Sequence, residues 1–199
     1  MDEIVVADDG STDRAEEVCR SFPEVSTVLP WPESFFDEGL DRNMVLGLAK
    51  GTQPDWILMM DIDGVFQDGI VSRIGDMMAQ DEYAVWDFHM LRFWHGKTHF
   101  RMDGPWGHET LNHVHPRLFR DQPGLRYPFQ RLHGAHILGA LGKAAVSDVR
   151  IKHYGYARPD RAREKHQLYR RVDPQGDYRH LVDETGLVLV EYCEPAAPA

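Results

Sequence analysis

Two acidic clusters each close an apolar run, and they are the residues of this chain best suited to chemistry. Ile4-Val5-Val6-Ala7 ends in Asp8 and Asp9, and Trp56-Ile57-Leu58-Met59-Met60 ends in Asp61-Ile62-Asp63, about 50 residues on. Carboxylates gathered at strand ends repel one another unless a cation or hydrogen-bond donors compensate. Two of them one residue apart suit Mg2+ or Mn2+, hard ions that take oxygen ligands and keep positions open for phosphate. The plainer reading makes Asp61 and Asp63 turn and cap residues, a common use of aspartate. Placement after apolar strands favours ligand binding, because open α/β sheets bind ligands beyond the carboxyl ends of their strands. On that reading the two clusters share one crevice.

The elements that must position them follow from the hydrophobic pattern. The run at 4–7 reads as a strand buried on both faces. Asp13 then caps a helix carrying Ala15, Val18, Cys19 and Phe22, which Pro23 ends. Val25 to Leu29 predicts a second strand, and Leu40, Met44 and Leu48 a second helix closed by Gly51. The strand at 56–60 and a helix carrying Ile70, Ile74, Met77 and Met78 complete an alternation typical of βαβ units around a mostly parallel sheet. Farther on, Ala84 to Trp94 alternates as a strand with one covered face. Residues His89 to His136 hold eight of the eleven histidines without any clean period, and predict loops around a pocket. Val146 to Ile151 reads as one more strand, leading into a turn at His153-Tyr154-Gly155-Tyr156 and a basic helix from Pro159 to Arg171. The expectation is a single domain over 1–199 with a frayed tail at 194–199.

Composition narrows the partners. Of 199 residues, 42% are hydrophobic, enough for a core, and 22 Lys and Arg stand against 32 Asp and Glu, a net charge of −10. That balance excludes a generic nucleic-acid binder, whose affinity comes from neutralising phosphates. No apolar run reaches the roughly 18 residues of a transmembrane helix, and the start, Met1-Asp2-Glu3-Ile4, lacks the features of a signal peptide. Cys19 and Cys193, far apart, argue for a reduced, cytoplasmic location.

The segment Ile4-Val5-Val6-Ala7-Asp8-Asp9-Gly10-Ser11-Thr12-Asp13 resembles the signature of family 2 glycosyltransferases, and Trp56 to Asp63 resembles their Asp-x-Asp (DxD) strand. The spacing, the intervening helix and the late His153-Tyr154-Gly155-Tyr156 fit the same family, in order from Asp2 to Arg171. The resemblance implies the GT-A fold, a three-layer α/β/α sandwich with a mostly parallel central sheet that binds a nucleotide sugar. It implies a metal-dependent, inverting transfer of sugar from a nucleoside diphosphate donor to a glycan or lipid-linked acceptor. By the same resemblance Asp9, with Asp8 beside it, bonds the base or ribose. Asp61 and Asp63 bind sugar or ribose and a Mn2+ or Mg2+ ion, with Asp63 the firmer ligand, and His153 completes the metal shell. Read as a residue alone, His153 is equally a strand-end histidine bonded to backbone.

An inverting reaction needs a base for the acceptor hydroxyl. Relatives carry a His-Glu pair where this chain has Leu132-His133-Gly134-Ala135-His136, so Asp103, Glu109 and His133 are the candidates. Arg158, Arg161, Arg163, Lys165, Arg170 and Arg171 read first as a solvated helix face, and otherwise as contacts for a diphosphate or an anionic acceptor. Trp94, Trp106 and Tyr127 offer faces for a sugar ring or for ordinary packing. His108, His113 and His115 match no zinc spacing. The family normally begins with an earlier strand, and this chain starts at what would be the second, which reads either as a start assigned too late or as a remnant with a weakened donor site. A missing strand would leave a sheet position that aggregation or pairing in a homodimer could fill. The competing readings are an impaired relative that keeps a nucleotide or metal pocket, and a metal-dependent phosphohydrolase on the same carboxylates.

Overall fold

The structure, a computed structural model, describes residues 3–32, 36–103, 114–132, 137–139 and 141–195. The chain divides into two compact units, Met1–Ile57 with Asp121–Ala140, and Leu58–Arg120 with Leu141–Ala199.

In the first unit β1 (Ile4–Asp8) and β2 (Val25–Pro30) lie parallel, joined through α1 (Ala15–Arg20). Both arise where the sequence predicts them, although β1 is only half-buried along its length. Asp13 does not cap α1: Arg14 holds that position, and the Asp13 carboxylate accepts instead from the Ala15 N–H. Helix α2 (Glu38–Gly51) is capped by Asp37, whose carboxylate accepts from the Leu40 N–H at 2.9 Å. Its most buried side chain is Leu46, 2% exposed, and the helix packs against β1. The first turn of α2 is laced to a distant segment. Glu38 and Gly39 donate backbone N–H groups to Arg131 and Gln130, while Asn43 both donates to and accepts from the backbone of Tyr127. Tyr127 is 1% exposed beneath the Arg42 guanidinium.

The chain passes into the second unit within β3 (Trp56–Leu58). There follow β4 (Gly64–Phe66), α3 (Ile70–Ala79), β5 (Val85–Trp94), β6 (His99–Arg101), β7 (Val114–Arg120), β8 (Ala144–Val146), β9 (Ile151–Tyr156), α4 (Pro159–Val172), a 3-10 turn at Arg179–Leu181 and β10 (Leu189–Glu191). Strand β5 is the spine. It runs antiparallel to β6 and β7 and parallel to β8 and β9, while β4 pairs antiparallel with β9 and β10 with β6. The mostly parallel sheet expected from the sequence is therefore not what forms here. Antiparallel pairings outnumber parallel ones among the described strands of this unit, because β6 and β7 return beside β5 without a crossover helix.

β5 also departs from a strand with one covered face. All its residues but Asp87 and His89 are buried. One face carries Phe88 against Phe66, ring centroids 5.1 Å apart, and Trp86, whose indole N–H reaches Met77 O of α3. The other packs Phe93 among Phe100, Tyr154 and Tyr192. Each such aromatic removes on the order of 150–250 Å2 from water. The strand expected at 146–151 resolves into two, β8 and β9, so that His153 lies inside β9 rather than after it, and Gly155 is strand, not turn.

Candidate functional site

Asp8 closes β1, and its carboxylate accepts from the Ser11 N–H at 3.1 Å, holding the turn that Gly10 makes with φ 74°. Asp9, next along, is exposed. Its charge acts on a residue that the hydrophobic pattern passes over, Asp41 in α2. Burial pushes the Asp41 carboxyl up to about 6, with Asp9, Asp37 and Glu38 adding to the rise and Arg42 opposing it. One Asp41 oxygen is buried with no hydrogen-bond partner among the described residues. A raised folded pKa means that the folded state keeps a proton which the unfolded chain loses. The stabilisation is complete below the ordinary 3.8 and disappears as the pH rises through about 6. Asp41→Asn is therefore expected to stabilise the protein at pH 8 and to change little at pH 4. Full conversion of the shift gives roughly 3 kcal/mol, which solvent screening of a half-exposed carboxyl reduces to about 1 kcal/mol. Urea unfolding at the two pH values checks this, and a variant no more stable than wild type at pH 8 contradicts it.

In the second unit Asp61-Ile62-Asp63-Gly64 forms a tight turn in which the Gly64 N–H bonds to Asp61 O at 3.0 Å. Ile62 stands 95% exposed at its tip. The turn feeds directly into β4, whose register sets Gly64 opposite His153. The Tyr154 N–H bonds to Asp63 O at 2.8 Å, so the backbone itself fixes Asp63 beside β9. His153 Nε2 consequently lies 3.4 Å from an Asp63 oxygen. Burial holds the imidazole down at about 4, with Lys165 and Arg92 working the same way against Asp63 and Asp61. It is neutral at pH 7, and its Nδ1 is buried without a hydrogen-bond partner among the described residues.

Both carboxylates of this turn carry a cation. Asp61 accepts from Arg117 Nη2 at 2.8 Å, where the arginine side chain is 6% exposed. Asp63 accepts from Lys165 Nζ at 3.1 Å, and that ammonium also lies 5.0 Å over the Tyr156 ring. Lys165 comes from α4, which packs against β9. Other cations here do face solvent as the charge pattern predicts: the exposed Arg158, just before the helix, pairs with Asp160, and the exposed Arg161 with Glu164. Gly155 makes the assembly sterically feasible. A Cβ there would stand 2.6 Å from His153 Cε1 and from Lys165 Nζ, and closer still to Asp63 Oδ2.

The expected metal set of Asp61, Asp63 and His153 is thus brought together only in part. Asp63 and His153 meet, but Asp61 is turned onto Arg117, and Lys165 takes the second oxygen of Asp63. Among the described residues no three of His, Cys, Asp and Glu gather at one point. As arranged, with Asp61 on Arg117 and Asp63 on Lys165, these residues do not by themselves form a divalent-ion site.

The base candidates separate too. Asp103 is clasped by Arg101, whose Nε and Nη2 both bond to it, and it accepts from the Val188 N–H. Burial alone would raise its carboxyl, but these bonds outweigh burial and hold it low, which makes it a poor proton acceptor. Glu109 and His133 lie outside the described residues, as do Trp106, His108 and His113. Trp94 is 3% exposed between Tyr156 and the Arg101 guanidinium, so neither it nor Tyr127 presents a face to a sugar.

A mixed α/β chain with carboxylates on strand-end turns, backed by buried and helical cations, is the class that fold and site define. The chain belongs to the Glycosyl transferase family 2, whose profile matches residues 1–171. It is similar to two mycobacterial proteins, the uncharacterized protein Mb3815c of Mycobacterium bovis and the uncharacterized protein Rv3786c of Mycobacterium tuberculosis. Each is 28% identical over 222 residues, covering 96% of this chain and 52% of the relative. The chain thus spans about half the length of these relatives. No helix among the described residues is long and apolar enough to cross a membrane.

Proposed function

We propose that this chain transfers a sugar from a nucleoside diphosphate sugar to a hydroxyl of a glycan or lipid-linked acceptor, on a GT-A-like scaffold. Family membership supports the reaction class. The observation that carries the reading to residues is Asp63, partly exposed and fixed by backbone bonds between His153 and Lys165. A fixed carboxylate is suited to accept hydrogen bonds from sugar or ribose hydroxyls, and Lys165 beside it to face phosphate oxygens. In a single displacement the acceptor oxygen bonds to the anomeric carbon as the bond from that carbon to the phosphate oxygen breaks. The diphosphate leaves with the electron pair, and the acceptor proton passes to a base. Preorganised positive charge at the leaving group lowers that barrier. Asp9, with Asp8 beside it, contacts the nucleoside by the family pattern. With Asp103 held by Arg101, the base falls to Glu109 or His133.

The test needs no acceptor. Release of nucleoside diphosphate from a panel of donor sugars is measured for wild type and Asp63→Asn. The variant keeps shape and loses one charged hydrogen-bond acceptor, worth about 1.5–3 kcal/mol, so release is expected to fall roughly ten- to a hundredfold. Binding of donors without release selects the impaired relative, and release of inorganic phosphate selects the phosphohydrolase. A protein that neither binds nor hydrolyses any donor sugar overturns the proposal.

A further inference from the structure

We infer that Lys165, with Arg117 fixed behind Asp61, supplies the positive charge that holds the diphosphate of the donor at Asp63, so that nucleotide binding here does not require a divalent ion. This rests on the transferase reading above and names how its site meets the ligand's charge.

The protein carries a net −10, yet each carboxylate of this turn is matched by a cation. Asp61 bonds to Arg117 and Asp63 to Lys165, and Arg92 lies opposite His153 on the neighbouring strand. Arg92 is 8% exposed and Arg117 5%, so two of those charges are built into the sheet. Taking a guanidinium out of water costs several kcal/mol unless it is paired, and an acidic protein gains nothing in solubility from it. Cations already held at this turn can meet an incoming anion without a further ion.

Accessibility then separates the roles. The Arg117 side chain is 6% exposed and committed to Asp61, so it acts by tying that carboxylate down. Lys165 is 30% exposed and Asp63 28%, so this pair can meet a ligand. Lys165 comes from α4 on a long flexible stem, and its ammonium has three donors, of which Asp63 takes one. The 3.1 Å separation of Nζ and Oδ2 leaves no place for an ion between them. The missing Cβ at Gly155 is what lets the ammonium approach this closely.

Binding of inorganic pyrophosphate and of uridine diphosphate is measured by calorimetry, once in EDTA and once with Mn2+, for wild type, Lys165→Met and Lys165→Arg. Wild type is expected to bind within about threefold as tightly in EDTA as in Mn2+. Lys165→Met, which keeps the stem, is expected to lose at least about tenfold in EDTA, one charge-assisted hydrogen bond's worth. Part of that loss should return with Mn2+, since Asp63 and His153 are then open to an ion. Lys165→Arg, which keeps the charge, should retain most of the EDTA affinity, and it serves as the folding control. Wild-type binding that needs Mn2+ by tenfold or more overturns the inference and leaves the transferase reading standing. So does a Lys165→Met variant unchanged in EDTA. If neither probe binds in either buffer, the inference falls, and the donor panel above decides the transferase reading by itself.

Discussion

Gly155→Ala is expected to reduce donor turnover by roughly a thousandfold while lowering unfolding stability by no more than about 3 kcal/mol. The added methyl would sit 2.6 Å from both His153 Cε1 and Lys165 Nζ, well inside the ~3.5–4.0 Å of ordinary carbon contact. All three atoms that it meets, Asp63 Oδ2 included, are ends of side chains. Lys165 and Asp63 can swing their ends aside, while the His153 ring must shift within β9, an overpacking cost of about 1–3 kcal/mol that leaves the fold intact. What does not survive is their mutual geometry. Displacing a positioned group by about 1 Å can cost around a hundredfold, and here two charged groups and an imidazole move together. The measurement pairs donor hydrolysis with urea unfolding. Full activity, or collapse of stability alongside activity, contradicts the reasoning. The result is informative because β9 is a strand, where glycine is otherwise unfavourable and alanine should by itself be mildly stabilising.

The parts of this molecule legible in its sequence are those written in short-range pattern. Asp61 and Asp63 stand out because an apolar run stops on them, and α2, α3 and α4 because their apolar or basic residues keep a period. Lys165 does not stand out. It is one of five Lys and Arg on α4, and only the pairing of Gly64 with His153, 89 positions apart in sequence, decides which of them meets Asp63. The β5 misreading has a related cause. Alternation takes a charge to mean solvent, yet Arg92 in β5, Arg117 in β7 and Lys152 in β9 are buried. Arg117 and Lys152 have carboxylate partners in Asp61 and Glu194, contributed by remote segments. Asp41 escaped for a similar reason. It sits on the first turn of α2 beside Leu40, and no short-range pattern shows that it is partly buried or that the charge of Asp9, from the end of β1, reaches it.

That same first turn supplies the largest expected loss of stability. Gly39→Ala is expected to destabilise the protein by about 3 kcal/mol or more, the upper end for overpacking. The alanine Cβ would lie 2.8 Å from Gln130 N and closer still to Pro128 O, with Phe129 Cα at 3.0 Å. Unlike the neighbours of Gly155, every one of these is a main-chain atom, so no rotamer change relieves the clash. The chain at 128–131 would have to retreat from α2, and it is bonded there. Gly39 N–H to Gln130 O at 3.0 Å and Glu38 N–H to Arg131 O at 3.1 Å are the bonds nearest the methyl. Asn43, one turn on, donates to Tyr127 O and accepts from Tyr127 N–H, so a retreat also strains a buried amide and the buried Tyr127 ring. Unsatisfied buried backbone groups cost about 1–3 kcal/mol each, so one bond lost in addition to the clash reaches the stated figure. Urea unfolding followed by tyrosine and tryptophan fluorescence measures the loss. A Gly39→Ala protein within about 1 kcal/mol of wild type would mean that α2 and residues 128–131 do not approach as closely as described. The contrast between the two glycines is the physical point: the same methyl costs mainly function where it meets the ends of side chains, and stability where it meets backbone.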